Sequence, residues 1–175
     1  MIFEPVTVSR ELDASPSVVF NVLADPTQHL RIDGSGMLQA ACSAPTRLQL
    51  DSRFAIKMRQ SRLPYRVENT VTEYEEARLI AWRPWVRVAG RRIAGGVTWR
   101  YQLTPIPKGT RVSETYDVTT AWGARFLAAL GYPTKMQHAM NATLLNLERL
   151  LLHSTVANDP DYVGPRHGGP FDEAR

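Results

Sequence analysis

Two polar residues occupy positions where the alternation of the sequence places apolar side chains. Glu114 shares its strand face with Val112 and Tyr116, and Asn69 has the same kind of position in an earlier strand. A buried polar group needs a hydrogen-bond partner, and burial raises the pKa of a carboxyl group. Glu114 is therefore the first candidate for a catalytic acid or base. Together with Asn69 and Tyr101 it would orient a ligand, unless it lies near a strand end or pairs with a basic side chain.

His29 and Asp33 form a second candidate pair. On a helix, a spacing of four residues puts both on one face, where a carboxylate orients an imidazole for base chemistry. A Gly-Ser-Gly sequence follows Asp33, however, and it predicts that the helix ends before Asp33, which would then shape the turn. His29 is thus the second catalytic candidate after Glu114.

The sequence contains no cluster of residues with the spacing of metal ligands. The four histidines are scattered along the chain, at His29, His138, His153 and His167. A metal site needs several converging ligands, and a single cysteine, Cys42, allows neither an intrachain disulfide nor a cysteine-based zinc site. We therefore expect no metal and no cofactor.

A run of arginines between residues 83 and 92 contains no acidic residue. Arg83, Arg87, Arg91 and Arg92 surround Trp85, and arginine beside an aromatic ring is a feature of nucleic-acid binding. The net charge is only +4, with 21 basic against 17 acidic residues, and no nucleic-acid motif is present. We interpret the run as a solvated hairpin and do not expect a nucleic-acid partner.

The elements that position these residues follow from the periodicity. Val6 to Leu12 alternate with period two, which predicts a strand. Ser15 and Pro16 then open a helix that Asp25-Pro26 ends, and residues 27–31 predict one more short helical turn. From about residue 36 to 118 one alternating segment follows another, which is typical of an antiparallel meander.

A long helix closes the pattern. It starts near Tyr132-Pro133, after a short helix predicted over residues 122–130. Its apolar stripe has helical spacing and consists of Met136, Met140, Leu144, Leu147 and Leu151. The predicted fold class is α+β: a strongly curved antiparallel sheet of about seven strands wraps around the long C-terminal helix, with two short helices after the first strand. The 175 residues suit one domain over 1–153, followed by a tail over 154–175.

Six segments of the sequence carry a resemblance to a known family. They are VSRELDASPSVVF (8–20), DPTQH (25–29), IDGSG (32–36), SRF (52–54), WRYQL (99–103) and GTRVSETYD (109–117). With them the sequence resembles, over about residues 5–153, the helix-grip superfamily of START-like and birch-pollen-allergen-like proteins. It is most similar to the bacterial polyketide cyclase/dehydratase-like branch, known as SRPBCC. That branch has no universal catalytic motif, and Asp51 stands where many relatives have glycine, which bears on the local turn.

The resemblance implies a ligand cavity between the sheet and the last helix. Alternation directs one set of residues toward this space, although the same residues would equally fill a solid core. The predicted ligand-binding residues are Phe54, Ile56, Met58, Val67, Asn69, Val71, Trp99, Tyr101, Tyr116, Met136, Met140 and Leu144.

The sequence is compatible with three functions. The first is binding or transport of a hydrophobic or aromatic small molecule, such as a lipid, polyketide or isoprenoid. The alternative is a polyketide cyclase/dehydratase-like enzyme that uses one acid or base in the same cavity. The third is a toxin-like or partner-binding module that acts through the arginine run.

Two further expectations concern localisation and assembly. The first residues lack the features of a signal peptide, and no apolar stretch is long enough to span a bilayer. We therefore expect a soluble, cytoplasmic protein. Leu145 and Leu152 lie away from the apolar stripe of the last helix, which leaves a homodimer open.

Overall fold

The computed structural model describes residues 4–60, 62–88, 91–119, 121 and 131–157. Eight strands and three helices lie within these ranges. The strands are β1 (Val6–Leu12), β2 (Leu38–Ser43), β3 (Arg53–Gln60), β4 (Leu63–Glu75), β5 (Leu79–Val88), β6 (Arg91–Gly95), β7 (Thr98–Ile106) and β8 (Gly109–Asp117). The helices are α1 (Pro16–Ala24), α2 (His29–Ile32) and α3 (Tyr132–Ala157).

The strands form one antiparallel sheet in the order β1-β8-β7-β5-β4-β3-β2, with β6 paired to the end of β5. The first and last strands, β1 and β8, therefore lie side by side, and Val8 of β1 is paired with Glu114 of β8. Long β5 pairs with β4 along one edge, and along its other edge its first half pairs with β7 and its second half with β6. This second pairing continues β5 past Pro84 to Val88, and β6 brings the sheet to eight strands where about seven were predicted.

The short helices follow the turn chemistry of the sequence. Pro16 occupies the first turn of α1, where its missing N–H costs no hydrogen bond. Ser15 stands at the N-cap without a side-chain capping bond, and its carbonyl accepts the first helical hydrogen bond from the amide of Val19 at 3.1 Å. The Asp25 carboxylate accepts from the amide and the hydroxyl of Thr27 at 2.9 and 2.7 Å, so α2 begins at His29 rather than at the predicted residue 27.

Helix α3 lies across the concave face of the sheet and buries its predicted stripe. Met140, Leu144 and Leu147 are almost completely inaccessible to solvent. The helix continues to Ala157, past the predicted domain boundary at residue 153. The rest of the predicted tail and the predicted helix over 122–130 lie outside the described residues.

One continuous apolar core holds the sheet, α1 and α3 together. Phe20 and Leu23 of α1 belong to the same buried cluster as Leu144 and Leu147 of α3. The architecture is the predicted α+β helix-grip arrangement of a curved antiparallel sheet around a C-terminal helix. Within the ranges given above, no helix is both long enough and apolar enough to cross a membrane.

Candidate functional site

A cavity of about 270 Å³ lies between the concave face of the sheet and the first half of α3. Pockets for small ligands have volumes of about 300–1,000 Å³, so this one suits a compact molecule. Both of its walls contain residues predicted from the sequence. These are His29, Ile56, Met58, Val67, Asn69, Trp99, Tyr101, Glu114, Tyr116, Met136 and Met140.

Three predicted ligand-binding residues lie in the solid core instead of the cavity wall. Phe54, Val71 and Leu144 have the predicted inward orientation and are buried in the apolar cluster. None of the three is among the residues that line the cavity. Alternation predicted the face of each residue correctly, but it could not predict how far the cavity extends along that face.

Several cavity residues escaped the sequence reasoning. Trp82 is two residues from both Ile80 and Pro84 on β5 and so shares their strand face. The alternation of the sequence therefore already indicated that Trp82 points inward. Tyr65 precedes Val67 in the same pattern. The residues that extend the lining beyond the prediction include Tyr65, Trp82, Val86, Val97, Tyr132 and Thr143.

Aromatic rings form one wall of the cavity. The indole of Trp82 stacks on the imidazole of His29 with centroids 5.0 Å apart and on the ring of Tyr101 at 5.4 Å. Trp99 and Tyr116 form a second pair, with centroids 4.8 Å apart. Such a wall offers broad, rigid apolar surface to a flat ligand.

Glu114 and Tyr101 are the central polar pair. They lie directly opposite each other on β8 and β7, and both side chains turn toward α3. The hydroxyl of Tyr101 donates to Oε1 of Glu114 at 2.7 Å, whereas Oε2 is buried without a hydrogen-bond partner. Among the side chains of the described ranges, this oxygen is the single buried polar atom in that condition.

The surroundings of this pair change its acid-base properties. Burial raises the pKa of Glu114 to about 8, and the negative charge of Asp33 adds to this effect against the opposing hydrogen bond from Tyr101. Burial and the neighbouring Glu114 also raise the pKa of Tyr101 well above its ordinary value. At neutral pH the cavity therefore contains a protonated carboxyl group.

His29 lines the cavity as a neutral imidazole. Its Nε2 lies 2.8 Å from the carbonyl oxygen of Leu23, and a carbonyl accepts, so Nε2 carries the proton. Burial lowers the pKa of His29, which keeps the ring uncharged. The orienting partner of His29 is thus a backbone carbonyl and not the carboxylate of Asp33.

Asp33 organises the turn after α2. Its Oδ1 accepts from the amide and the hydroxyl of Ser35 at 2.9 and 2.6 Å, and its Oδ2 accepts from the amide of Leu38 at 3.0 Å. These bonds occupy both carboxylate oxygens. The structure therefore gives Asp33 the turn-shaping role that the Gly-Ser-Gly sequence predicted, and the His29–Asp33 pair is not assembled.

The side chain of Asn69 forms a hydrogen bond within the protein. Its Nδ2 donates to the carbonyl oxygen of Phe54 across the β3–β4 pair at 3.4 Å, and the side chain is buried on the cavity wall. The long donor–acceptor distance indicates a weak bond. Asn69 can exchange this bond for one to a ligand at little cost.

The arginine run lies on the hairpin of β5 and β6, and none of its arginines is among the described residues that line the cavity. The guanidinium of Arg92 stacks over the ring of Trp85 at 4.6 Å, and Nε of Arg83 donates to the hydroxyl of Thr98 at 3.3 Å. The side chain of Arg87 is outside the described part of the chain. His138 and His153 are exposed on α3, and the described ranges contain no group of three potential metal ligands.

Comparison with known proteins identifies a family. The family model described as "Polyketide cyclase / dehydrase and lipid transport" matches residues 5–151. An uncharacterized protein of Mycobacterium tuberculosis strain H37Rv, Rv0088, is 32% identical over 150 residues, which is 82% of this chain. A second uncharacterized protein, MT0096 of strain CDC 1551, is 31% identical over the same length. The chain spans 63% of the length of each of these relatives.

Solved structures share the architecture at low sequence identity. Protein NE0264 of Nitrosomonas europaea has a TM-score of 0.66 and 17% identity, covering 86% of this chain and 96% of its own. The AHSA1 protein SPO3351 of Silicibacter pomeroyi has a TM-score of 0.63 and 13% identity, covering 86% of this chain and 99% of its own. At such identities the likeness establishes the fold.

Proposed function

Since the chain belongs to the polyketide cyclase/dehydrase and lipid transport family, we propose that it binds or transports a hydrophobic or aromatic small molecule. Lipids, polyketides and isoprenoids are the ligand classes of this proposal. The observation that carries it is the apolar, aromatic-walled cavity of about 270 Å³ between the sheet and α3. Transfer of apolar ligand surface into this space would drive binding at roughly 25 cal/mol per Å².

The orientation of the ligand would come from the few polar groups in an otherwise apolar wall. Glu114 and Tyr101 lie on the neighbouring strands β8 and β7, Asn69 lies on β4 beyond β5, and all three side chains reach the same cavity. An apolar site with a small number of fixed polar groups is the usual composition of a small-molecule pocket. Affinity would thus depend on burial, and selectivity on these three side chains.

A substitution that fills the cavity tests this proposal. Met140 is fully buried on the cavity wall, so Met140→Trp places a large ring in the space that the ligand needs. We expect native mass spectrometry of the purified wild-type protein to detect a bound small molecule of a few hundred daltons, and the variant to lose at least about nine-tenths of it.

Leu152→Trp is the matched control, because Leu152 is exposed on the same helix. It introduces the same ring without touching the cavity and should retain the ligand. Circular dichroism establishes that both variants are folded. A folded Met140→Trp protein with wild-type ligand content would contradict a ligand in this cavity.

Glu114 also favours a second candidate function, an enzyme of the cyclase/dehydratase type. A carboxyl group with a pKa of about 8 can donate a proton to a leaving hydroxyl group and, as the carboxylate, accept one from the adjacent carbon. His29 would be the weaker alternative base, because burial lowers its pKa and so disfavours the imidazolium that forms when it accepts a proton.

The carrier and the enzyme differ in the molecule that should remain bound to the purified Glu114→Gln protein. An enzyme that removes water would leave the variant with a bound species heavier by one water than that of the wild type. A carrier would hold the same molecule in both proteins. Extraction and mass spectrometry of the two proteins, purified from the same host, distinguish these outcomes.

A further inference from the structure

The charged groups of the cavity are unevenly distributed. Among the described residues that line it, Asp33 and Glu114 are acidic, and none is a lysine or an arginine. His29 is neutral, because burial lowers its pKa. A ligand with a carboxylate or phosphate group would therefore lose its hydration without gaining a cationic partner.

Glu114 offers a hydrogen bond that the protein itself does not use. Its Oε1 accepts from Tyr101, and its Oε2 is buried without a partner on a side chain that lines the cavity. A buried polar atom without a partner is unfavourable, so a ligand that supplies one gains affinity. This atom marks the position of one polar group on the ligand.

The protonation of Glu114 decides which kind of group that is. With a pKa of about 8, the carboxyl is protonated at neutral pH. Tyr101 donates to Oε1, which leaves Oε2 as the hydroxyl oxygen and thus as a donor. Its complement is an acceptor oxygen of the ligand.

We propose that the ligand of this cavity is uncharged and places a carbonyl oxygen against Oε2 of Glu114, with its flat body along the wall of Trp82 and Tyr101. This inference rests on the proposed function and adds to it the chemical class of the ligand. It excludes free fatty acids and other carboxylates. It favours ketone-bearing aromatic or isoprenoid compounds.

Three naphthalenes of nearly identical shape test this inference. Acetylnaphthalene carries the carbonyl, isopropenylnaphthalene replaces its oxygen by a methylene group, and naphthoate adds a negative charge, all at the same ring position. Equilibrium dialysis against the full chain at pH 6.5, with chromatographic detection, measures the three affinities. We expect the ketone to bind roughly tenfold more tightly than the alkene. Naphthoate should bind roughly a hundredfold more weakly than the ketone.

Two variants assign the preference to Glu114. Glu114→Gln keeps one oxygen for the hydroxyl of Tyr101 and presents an amide N–H in place of Oε2, so the preference for the ketone should persist. Glu114→Met keeps the length of the side chain without a donor, and the two neutral compounds should then bind equally. Circular dichroism checks the fold of both, and the wild-type comparison stands even if Glu114→Met does not fold.

The outcomes separate this inference from the proposed function. Equal binding of ketone and alkene to the wild type, or tighter binding of naphthoate, would overturn the inference while the cavity remains a ligand site. If none of the three compounds binds, the inference is overturned, whereas the proposed function is decided separately by the ligand content of the wild type and of Met140→Trp. A ketone preference that persists in a folded Glu114→Met protein would also overturn the role of Glu114.

Discussion

The two halves of the space between α3 and the sheet are filled in different ways, although one apolar stripe of α3 faces both. Toward its end the helix meets a solid core, in which Leu144 and Leu147 belong to the same buried cluster as Phe20 and Leu23 of α1. Toward its beginning, Met136 and Met140 face the cavity. We call these the core half and the cavity half.

The polar groups follow the same division. The cavity half contains His29, Asn69 and Glu114, all nearly inaccessible to solvent, whereas the core half is built from aliphatic and aromatic side chains. A solid core stabilises the fold, and the open half leaves room and unused hydrogen-bonding capacity for a ligand. The same fold thus separates stability from binding along one helix.

The largest expected effect concerns the buried carboxyl of the cavity half. An unfolded Glu114 ionises near its ordinary pKa of 4.5, but the folded one ionises near 8. Between these values the folded state binds more protons than the unfolded state, so stability falls as pH rises. The free energy of unfolding is highest below about pH 4.5 and falls until about pH 8. At 1.36 kcal/mol per pH unit, the total loss is roughly 5 kcal/mol.

Glu114→Gln should remove this pH dependence and raise stability above pH 8 relative to the wild type. Urea unfolding between pH 5 and 9 measures the difference, with the exposed Glu11→Gln as control. Tyr101 and Asp33 are the other titratable groups that act on Glu114, and both variants retain them. Parallel stability profiles for the wild type and Glu114→Gln would contradict a buried, protonated carboxyl.

A pair of truncations on α3 compares the two halves directly. Leu147→Ala leaves a void in the core half and should cost about 2–5 kcal/mol of unfolding free energy. Met136→Ala only widens a cavity that already exists, so we expect a loss below about 1 kcal/mol. Urea denaturation measures both values, and equal losses would show that the two halves are packed alike.

The turn between α2 and β2 provides the next test, at the border of the two halves. A methyl group on Gly34 would lie 2.2 Å from the carbonyl oxygen of Ala139 and 2.4 Å from the amide nitrogen of Thr143. Gly34→Ala must push the turn away from α3, and we expect a cost of about 1–3 kcal/mol in thermal or urea unfolding.

Gly36→Ala is the control for this position. A methyl group on Gly36 would meet no atom within 4 Å apart from its chain neighbours, but the φ of +67° is unfavourable for alanine, so roughly 1 kcal/mol should be lost. A smaller loss for Gly34→Ala than for Gly36→Ala would contradict the close approach of the turn to α3.

The smallest expected effect comes from the rim of the core half. Arg10 of β1 and Glu148 of α3 form an ion pair with an Nη2–Oε2 distance of 2.7 Å, and both side chains are partly exposed. A double-mutant cycle with Arg10→Gln and Glu148→Gln should give a coupling of about 0.2–1 kcal/mol that weakens with salt. A coupling that exceeds this range and persists at high salt would mean that the ion pair, not the apolar packing, fixes this end of α3.

Much of the fold was predictable because strands and helices leave periodic patterns in the sequence. The alternation around Glu114 and Asn69 correctly placed both on the inner face, and the spacing of Met136 to Leu151 correctly gave the buried stripe of α3. Trp82 had the same signal and was missed. The pairing of β5 with β6 was harder to predict, because it depends on a partner strand beyond the local pattern.

The sequence predicted which side chains of the candidate site point inward, but not which of them line the cavity and which fill the core. Nine of the twelve predicted ligand-binding residues line the cavity, and the other three, Phe54, Val71 and Leu144, fill the core. Residues with identical patterns diverged because neighbouring segments cover only part of the inner face; the ring of His29 on α2, for example, lies edge-on against Phe54. No local sequence feature records that difference.

The sequence by itself determined which side chains point inward, where α1 begins and ends, and that Asp33 shapes a turn. These properties depend on nearest neighbours and on the geometry of single elements. Only the tertiary structure decided that Tyr101 stands opposite Glu114, that His29 bonds to Leu23, and that a cavity remains beside Met140. Strand register and the packing of distant segments set these contacts, and those depend on the whole chain at once.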